Sequence, residues 1–463
     1  MLQHVLAGGQ SRPRRVMATL VEWHDSRPRA SLADARGWIW LALVAATFVW
    51  MSNPLVYFPS FYLSLGAAMV WSKVVLVLSL PWLRLPRIPW PWLAFLGLAL
   101  ISHRWSIQPF HTEVSSTVYI QIAALAVLAA ANCEPVVIAW GMAVGGVSVT
   151  LLSLHALSED VPGIEYSSES GMVFGGLGTN ENILAYTLLV SLAATLALGR
   201  PRERVPQAMW FGALAIQLYG TYRAGSGTGY LTALGLAVTV TAILGWPLVR
   251  TARRRIVVAF MAGGVAVLAT GLLFVTVVLG KELTTISGRA PFWRATIDSS
   301  MDLAPVLGAG WGAVWEHPWD PAPPNHIALD IYYRAGYPLP HGHNFFLDVL
   351  PELGLVGLAA VLVMVAYVVR EIRWAGLHAG SSDPVAGRLM LLVLIALLVS
   401  GITEPMLTVP LGWWSLALVA ALPRQRLLRW GRPPRARRGR RAAALSPAAS
   451  RSTPAATPPR HAG

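Results

Sequence analysis

Residues Pro340 to Leu358 read PHGHNFFLDVLPELGLVGL, setting two imidazoles, an amide and two carboxylates directly before a long apolar run. An imidazole titrates near ~6.5, so the neutral ring accepts a proton from a hydroxyl close to neutral pH. His343 and His341 are therefore candidate general bases. Two other readings compete: a His-x-His metal pair, for which no third ligand with recognisable spacing appears, and plain interfacial histidines. Asn344 follows His343 directly. Pro351 confines the regular membrane helix to Glu352 onward and leaves 344–350 as a turn or short helix. Glu352, at the helix start, is either a carboxylate favoured by the helix dipole or a group that orients a histidine or a substrate.

Two further stretches supply cationic chemistry. YGTYRAGSGTGYL (Tyr219 to Leu231) sets Arg223 among small residues between two apolar runs. SGRAPFW (Ser287 to Trp293) sets Arg289 just after another. A guanidinium facing lipid near the bilayer centre costs ~2.5 kcal/mol or more, so each should face water, protein or an anion. Its planar fork grips phosphate oxygens in a two-pronged way that lysine cannot match. Headgroup snorkelling by Arg223 and salt bridges to folded acids such as Asp298 or Glu352 are the structural alternatives. In GTNENILAY (Gly178 to Tyr186), Asn180 either caps the helix that follows or lines a sugar site.

The elements that must position these groups are membrane helices. The chain of 463 residues is 55% hydrophobic and 13% charged, with apolar stretches near the roughly 20 residues that a helix needs to cross a bilayer. Hydropathy windows predict an all-α polytopic membrane protein of about twelve transmembrane helices. They lie near 37–58, 61–82, 89–103, 115–133, 135–156, 180–199, 206–222, 227–248, 256–280, 344–370, 387–402 and 406–423. Between the ninth and tenth spans runs a large extracytoplasmic loop, 281–343, whose Trp, Tyr and Phe content equips it to fold over the membrane face. Within it, RAPFWRATIDSSMDLA (Arg289 to Ala304) has helical spacing, and GAGWGAVWEHP reads as a glycine-rich turn. The integral domain is 37–430. A basic N-terminal segment, 1–36, precedes it, and an Arg/Pro/Ala/Ser-rich tail, 431–463, has no periodicity with which to bury a core.

Charge sets the orientation. Of 36 Lys and Arg, only Lys73, Arg104, Arg223, Lys281, Arg289, Arg294 and Arg334 lie outside the tails and the loops 82–89, 199–206, 248–255 and 370–390. With twelve spans those basic segments share one face, which is cytoplasmic by the positive-inside rule. Both termini are then cytoplasmic, and Arg223, Arg289 and the histidines face outward from the plasma membrane. The net charge of +14 reads as topology and contact with anionic lipid, leaving no role for nucleic acid. One cysteine, Cys133, permits no disulfide within the chain.

Two arginines and a base on one outer face, without a nucleotide-binding signature, suit chemistry on a lipid-anchored anion. A glycan carried on a polyprenyl pyrophosphate fits: the diphosphate needs arginines, the lipid a helix groove, and the leaving group already stores the energy. No cofactor or metal is expected. A transporter of the same cargo would use the arginines but need no base, and a purely structural protein would leave the polar clusters unexplained.

The ordered set GTNENILA, TYRAGSG, SGRAPFW, PVLGAGWG and HNFFLDVLPELGLVGL resembles the O-antigen ligase and O-antigen polymerase superfamily of bacterial membrane glycosyltransferases, which includes protein O-oligosaccharyltransferases. The resemblance spans roughly residues 175–360. It implies a GT-C class fold and metal-independent, inverting transfer from the polyprenyl pyrophosphate to a hydroxyl acceptor on a glycan, lipid or protein. His343 would be the base, with His341 nearby, and Arg223 and Arg289 would hold the diphosphate. Tyrosine before Arg223 departs from the family's Ser-Arg-Ser-Gly form.

Overall fold

The computed structural model describes residues 29–55, 57, 61–80, 84, 88–168, 171–251, 289–317, 325–338, 340–375 and 383–422. The expected span 256–280 with Lys281, most of the 1–36 segment and the 431–463 tail lie outside the described residues.

Thirteen α-helices carry the described chain: α1 (Ala35–Met51), α2 (Phe61–Ser79), α3 (Trp90–Ile101), α4 (Pro109–Asn132), α5 (Pro135–Ser158), α6 (Glu181–Leu198), α7 (Arg204–Ala224), α8 (Gly227–Thr251), α9 (Arg289–Leu303), α10 (His326–Ala335), α11 (Leu350–Ala375), α12 (Pro384–Ser400) and α13 (Pro410–Ala421). Each expected apolar interval within the described residues coincides with one of them. Five are long and apolar enough to cross a membrane: Pro109–Asn132, Pro135–Ser158, Glu181–Leu198, Gly227–Gly245 and Leu350–Arg373. α9 matches the helix expected from Arg289. Against the all-helical expectation, Glu165–Ser168 and Gly171–Phe174 form an antiparallel hairpin, β1 and β2, with Glu165 opposite Phe174.

Local chemistry explains the breaks. Proline at the first or second position starts α3, α4, α5, α12 and α13, where a missing N–H costs nothing. Asn180 caps α6 by accepting from the amides of Asn182 and Ile183. α11 is interrupted at Gly354, whose φ of 60° and ψ of −160° are non-helical. The freed amides of Leu355 and Val356 donate to Pro305 and Val306 carbonyls, at 2.9 and 3.2 Å. A Cβ at Gly354 would meet the Val306 carbonyl at 2.4 Å, so the turn after α9 docks there only against glycine.

Apolar surface gains nothing by leaving lipid for protein, so helix association inside a bilayer rests on close packing and interhelical hydrogen bonds. Both are present. Trp311, Tyr119, Trp413 and Phe95, all fully buried, form an aromatic cluster with ring centroids 4.9 to 5.4 Å apart. Gln217 of α7 joins Ser191 Oγ at 2.7 Å, the Ala143 carbonyl at 3.2 Å and Thr195 Oγ1 at 3.1 Å, tying α5, α6 and α7. Part of the 281–343 stretch forms its own core, with Phe292, Ala295, Trp315, Ile327 and Ile331 buried together where α9 packs on α10.

Candidate active site

Two irregular turns meet to make the site. One runs from Pro340 into α11 and carries His341 and His343. The other joins α12 to α13 and carries Glu404. The amide of Phe345 donates to the Gly401 carbonyl at 2.7 Å, and Asn344 Nδ2 to the Ile402 carbonyl at 2.9 Å, stitching the turns edge to edge. Asn344 Oδ1 also accepts from the amides of Phe346 and Leu347. His343 is held at φ 48°, a left-handed conformation uncommon for residues with a Cβ and concentrated at functional sites.

A cavity of about 160 Å³ opens where the turns meet. Its walls include Asn180, His317, His341, His343, Glu404 and Thr408. His343 Nδ1 lies 3.7 Å from Glu404 Oε2, and Arg289 Nη2 donates to Glu404 Oε1 at 2.9 Å. The Glu404 side chain is 5% exposed, against 16% for His343 and 17% for Arg289. The three residues therefore form a row from imidazole to carboxylate to guanidinium. The His341 ring rests against that of His343, centroids 4.0 Å apart. Loss of solvent, the neighbouring His343 and the Arg289 charge together hold the His341 imidazole well below its usual titration range. His341 is thus a neutral neighbour that does not oppose a positive charge forming on His343.

Beneath the cavity lies a wholly buried polar layer. Asp348 accepts from the Gly342 amide at 2.8 Å and meets Thr408 Oγ1 at 2.9 Å. Burial raises its carboxyl well above the usual range; the two hydrogen bonds oppose that rise, and the nearby Glu352 and Glu404 charges add to it. Glu352 has no solvent exposure, lies 3.6 Å from His317 Nε2 and takes the Trp315 amide at 3.3 Å. Among the described residues no group of three or more His, Cys, Asp or Glu side chains is arranged to hold a metal ion.

Of the residues expected at the site, His341, His343 and Asn180 line the cavity, and Arg289 reaches it through Glu404. Asn344 stitches the turns from the side, and Glu352 lies in the buried layer below. Arg223 is not among the lining residues. Its Nη2 donates to Glu165 of β1 at 2.9 Å, and its guanidinium carbon lies 5.5 Å from the centre of the Phe174 ring of β2. The same hairpin ties down α6, because the Tyr166 hydroxyl donates to Glu181. Glu404 and Asp348 were missed in the sequence. Glu404 sits in SGITEPM, at the edge of an apolar run and 61 residues downstream of His343, and no local pattern distinguishes it.

Residues 212–362 match the O-antigen ligase family. This part of the chain is similar to an O-antigen ligase domain. The domain takes in Arg223, Arg289, His341, His343, Asn344, Asp348 and Glu352, and it ends before Glu404. The exopolysaccharide production protein ExoQ of Rhizobium meliloti (strain 1021) is 26% identical over 283 residues, 57% of this chain and 61% of that protein. The chain thus matches somewhat under two thirds of that relative's length. Together the domain and the relative support the O-antigen ligase and polymerase superfamily, and with the apolar helices they identify an integral membrane protein.

Proposed function

We propose that this protein is a membrane glycosyltransferase that moves a preassembled glycan from a polyprenyl pyrophosphate carrier to a hydroxyl acceptor. The observation that carries the reading is the row His343, Glu404, Arg289 at the cavity edge. Glu404 faces Nδ1 of His343, which favours the tautomer with its proton there and leaves Nε2 free to accept. The acceptor hydroxyl gives its proton to Nε2 as its oxygen attacks the anomeric carbon. The bond from that carbon to the diphosphate oxygen breaks, and the diphosphate leaves with the electron pair. Attack from the face opposite the leaving group inverts the anomeric configuration. Glu404 stabilises the imidazolium, and Arg289 is placed to meet the charge growing on the diphosphate. Arg223 joins it if the hairpin releases its grip. The chemistry draws on no metal or cofactor.

The same proposal includes about twelve spans in a GT-C class arrangement, both termini in the cytoplasm, and a site opening outward from the cytoplasmic membrane beside the lipids that bring the carrier. A glycan acceptor, and hence chain growth as in a polymerase, is favoured by the relative's name as an exopolysaccharide production protein. Ligation to a lipid and transfer to a protein differ only in the acceptor.

The test supplies purified protein in nanodiscs with a polyprenyl-diphosphate glycan and candidate acceptors. Equal amounts of lengthened or glycosylated acceptor and free polyprenyl diphosphate are expected. Donor that crosses the bilayer intact, with no diphosphate released, would make the protein a transporter instead.

A further inference from the structure

His343 and Glu404 sit on turns 61 residues apart in sequence, yet their geometry must be held closely for one to orient the other. The Phe345 and Asn344 links fix the C-terminal side of His343. A separate group holds the N-terminal side. We propose that Asp348 is a positioning residue: its buried carboxyl pins the His341–His343 turn to the Glu404-bearing turn and so sets the distance between base and carboxylate.

Oδ1 of Asp348 takes the amide of Gly342, the residue before His343, at 2.8 Å. Oδ2 meets Thr408 Oγ1 at 2.9 Å, four residues after Glu404. The side chain therefore spans both turns, one oxygen to each. Space is close on the first side: a Cβ on Gly342 would come within 2.9 Å of Oδ1. On the second side, Thr408 is itself braced, its carbonyl accepting from the Tyr119 hydroxyl at 2.7 Å. With both flanks of His343 tied, its left-handed φ is over-determined by its surroundings, which is how such conformations persist.

The hydrogen bonds also accommodate a neutral acid. Thr408 Oγ1 has two acceptors in reach, Asp348 Oδ2 and the Pro405 carbonyl at 3.1 Å, but only one proton. The hydroxyl donates to Asp348 Oδ2, and a proton on that oxygen would reverse the bond, the acid donating to Thr408 and Thr408 to Pro405. Asp348 has no solvent exposure and two carboxylates nearby, conditions under which a neutral acid is the cheaper form. An asparagine with its amide toward Thr408 reproduces the pattern, while leucine of similar size keeps none of it.

This inference rests on the glycosyl-transfer reading for its kinetic arm and on labelling for its structural arm. Full-length Asp348→Leu, Asp348→Asn and Thr408→Val are compared with wild type in nanodiscs. The readouts are kcat and donor KM, and the rate at which diethyl pyrocarbonate modifies His343, located by mass spectrometry. Misplacing a reacting group by about 1 Å costs about 100-fold, so Asp348→Leu should lower kcat by about that factor with donor KM unchanged, and should speed His343 labelling. Asp348→Asn should recover most of both effects, and Thr408→Val should move both in the direction of Asp348→Leu. Unchanged kcat and labelling in Asp348→Leu would overturn the proposal. So would an Asp348→Asn as impaired as the leucine variant, because a charge and not a tether would then be needed. If wild type releases no diphosphate, the functional reading fails, and the labelling rates alone decide whether Asp348 holds the turn.

Discussion

Glu404 divides its carboxylate between two partners, with Arg289 Nη2 at 2.9 Å on Oε1 and His343 Nδ1 at 3.7 Å from Oε2. One acid thus serves both the base and the cation of the proposed reaction. Glu404→Gln keeps the volume and removes the charge. The bond to Arg289 then loses its charge assistance, which lifts a hydrogen bond from about 1 to about 1.5–3 kcal/mol, so the melting temperature should fall. Turnover should fall further than stability accounts for, since His343 loses its orienting partner. Thermal melts and initial rates on the same preparation separate the two effects.

Arg223 and Glu165 form an ion pair with about a third of each side chain exposed. Exposed pairs contribute about 0–1 kcal/mol, so Arg223→Ala should leave the melting temperature within a few degrees of wild type. If Arg223 helps hold the diphosphate, the donor KM should rise while kcat changes less. A KM equal to that of wild type would confine Arg223 to bracing the hairpin.

Gly354 lets the turn after α9 dock against α11. Gly354→Ala places a Cβ 2.4 Å from the Val306 carbonyl and imposes a φ of 60° on a residue that has one. Left-handed strain alone costs about 1–3 kcal/mol, and the clash adds to it. A clear loss of thermal stability is expected. Wild-type melting would mean the interruption in α11 is dispensable.

His341 gives stability a pH dependence. Its folded titration point lies below the unfolded value of about 6.5, so acidification below that value puts a proton on the unfolded chain before the folded one. Stability from this group is therefore intact above about 6.5 and declines as pH falls below it. His341→Asn should flatten the melting temperature across that acid range. An unchanged slope would assign the dependence to other groups.

The helices were readable because a membrane helix announces itself locally: apolar length, flanking arginines and N-terminal prolines all lie within its own twenty or so residues. Asn180 as a cap and the helix from Arg289 were readable for the same reason. The hairpin was not. EDVPGIEYSSES (Glu159 to Ser170) reads as acidic and turn-rich, and what orders its end is tertiary: Glu165 meets Arg223, and Tyr166 meets Glu181. His343 was legible as a candidate base beside Asn344, whereas Glu404 was hidden. Glu404 acquires meaning only when Phe345 and Asn344 bond to Gly401 and Ile402, and sequence separation conceals that pairing. Asp348 stood in plain sight in the same motif as His343, but nothing in the string distinguishes a tether from a helix-start acid.

The central claim is that His343 removes the acceptor proton in a metal-independent transfer. The direct measurement is polyprenyl diphosphate release from a lipid-linked glycan donor by purified wild type, His343→Ala and His341→Ala, with acceptor and a metal chelator present. A positioned general base contributes roughly 10²–10⁴-fold. Release by wild type that persists in the chelator and drops by that order in His343→Ala, with a far smaller loss in His341→Ala, is the predicted result. Equal release by wild type and His343→Ala would contradict the account and move the base to another side chain of the cavity.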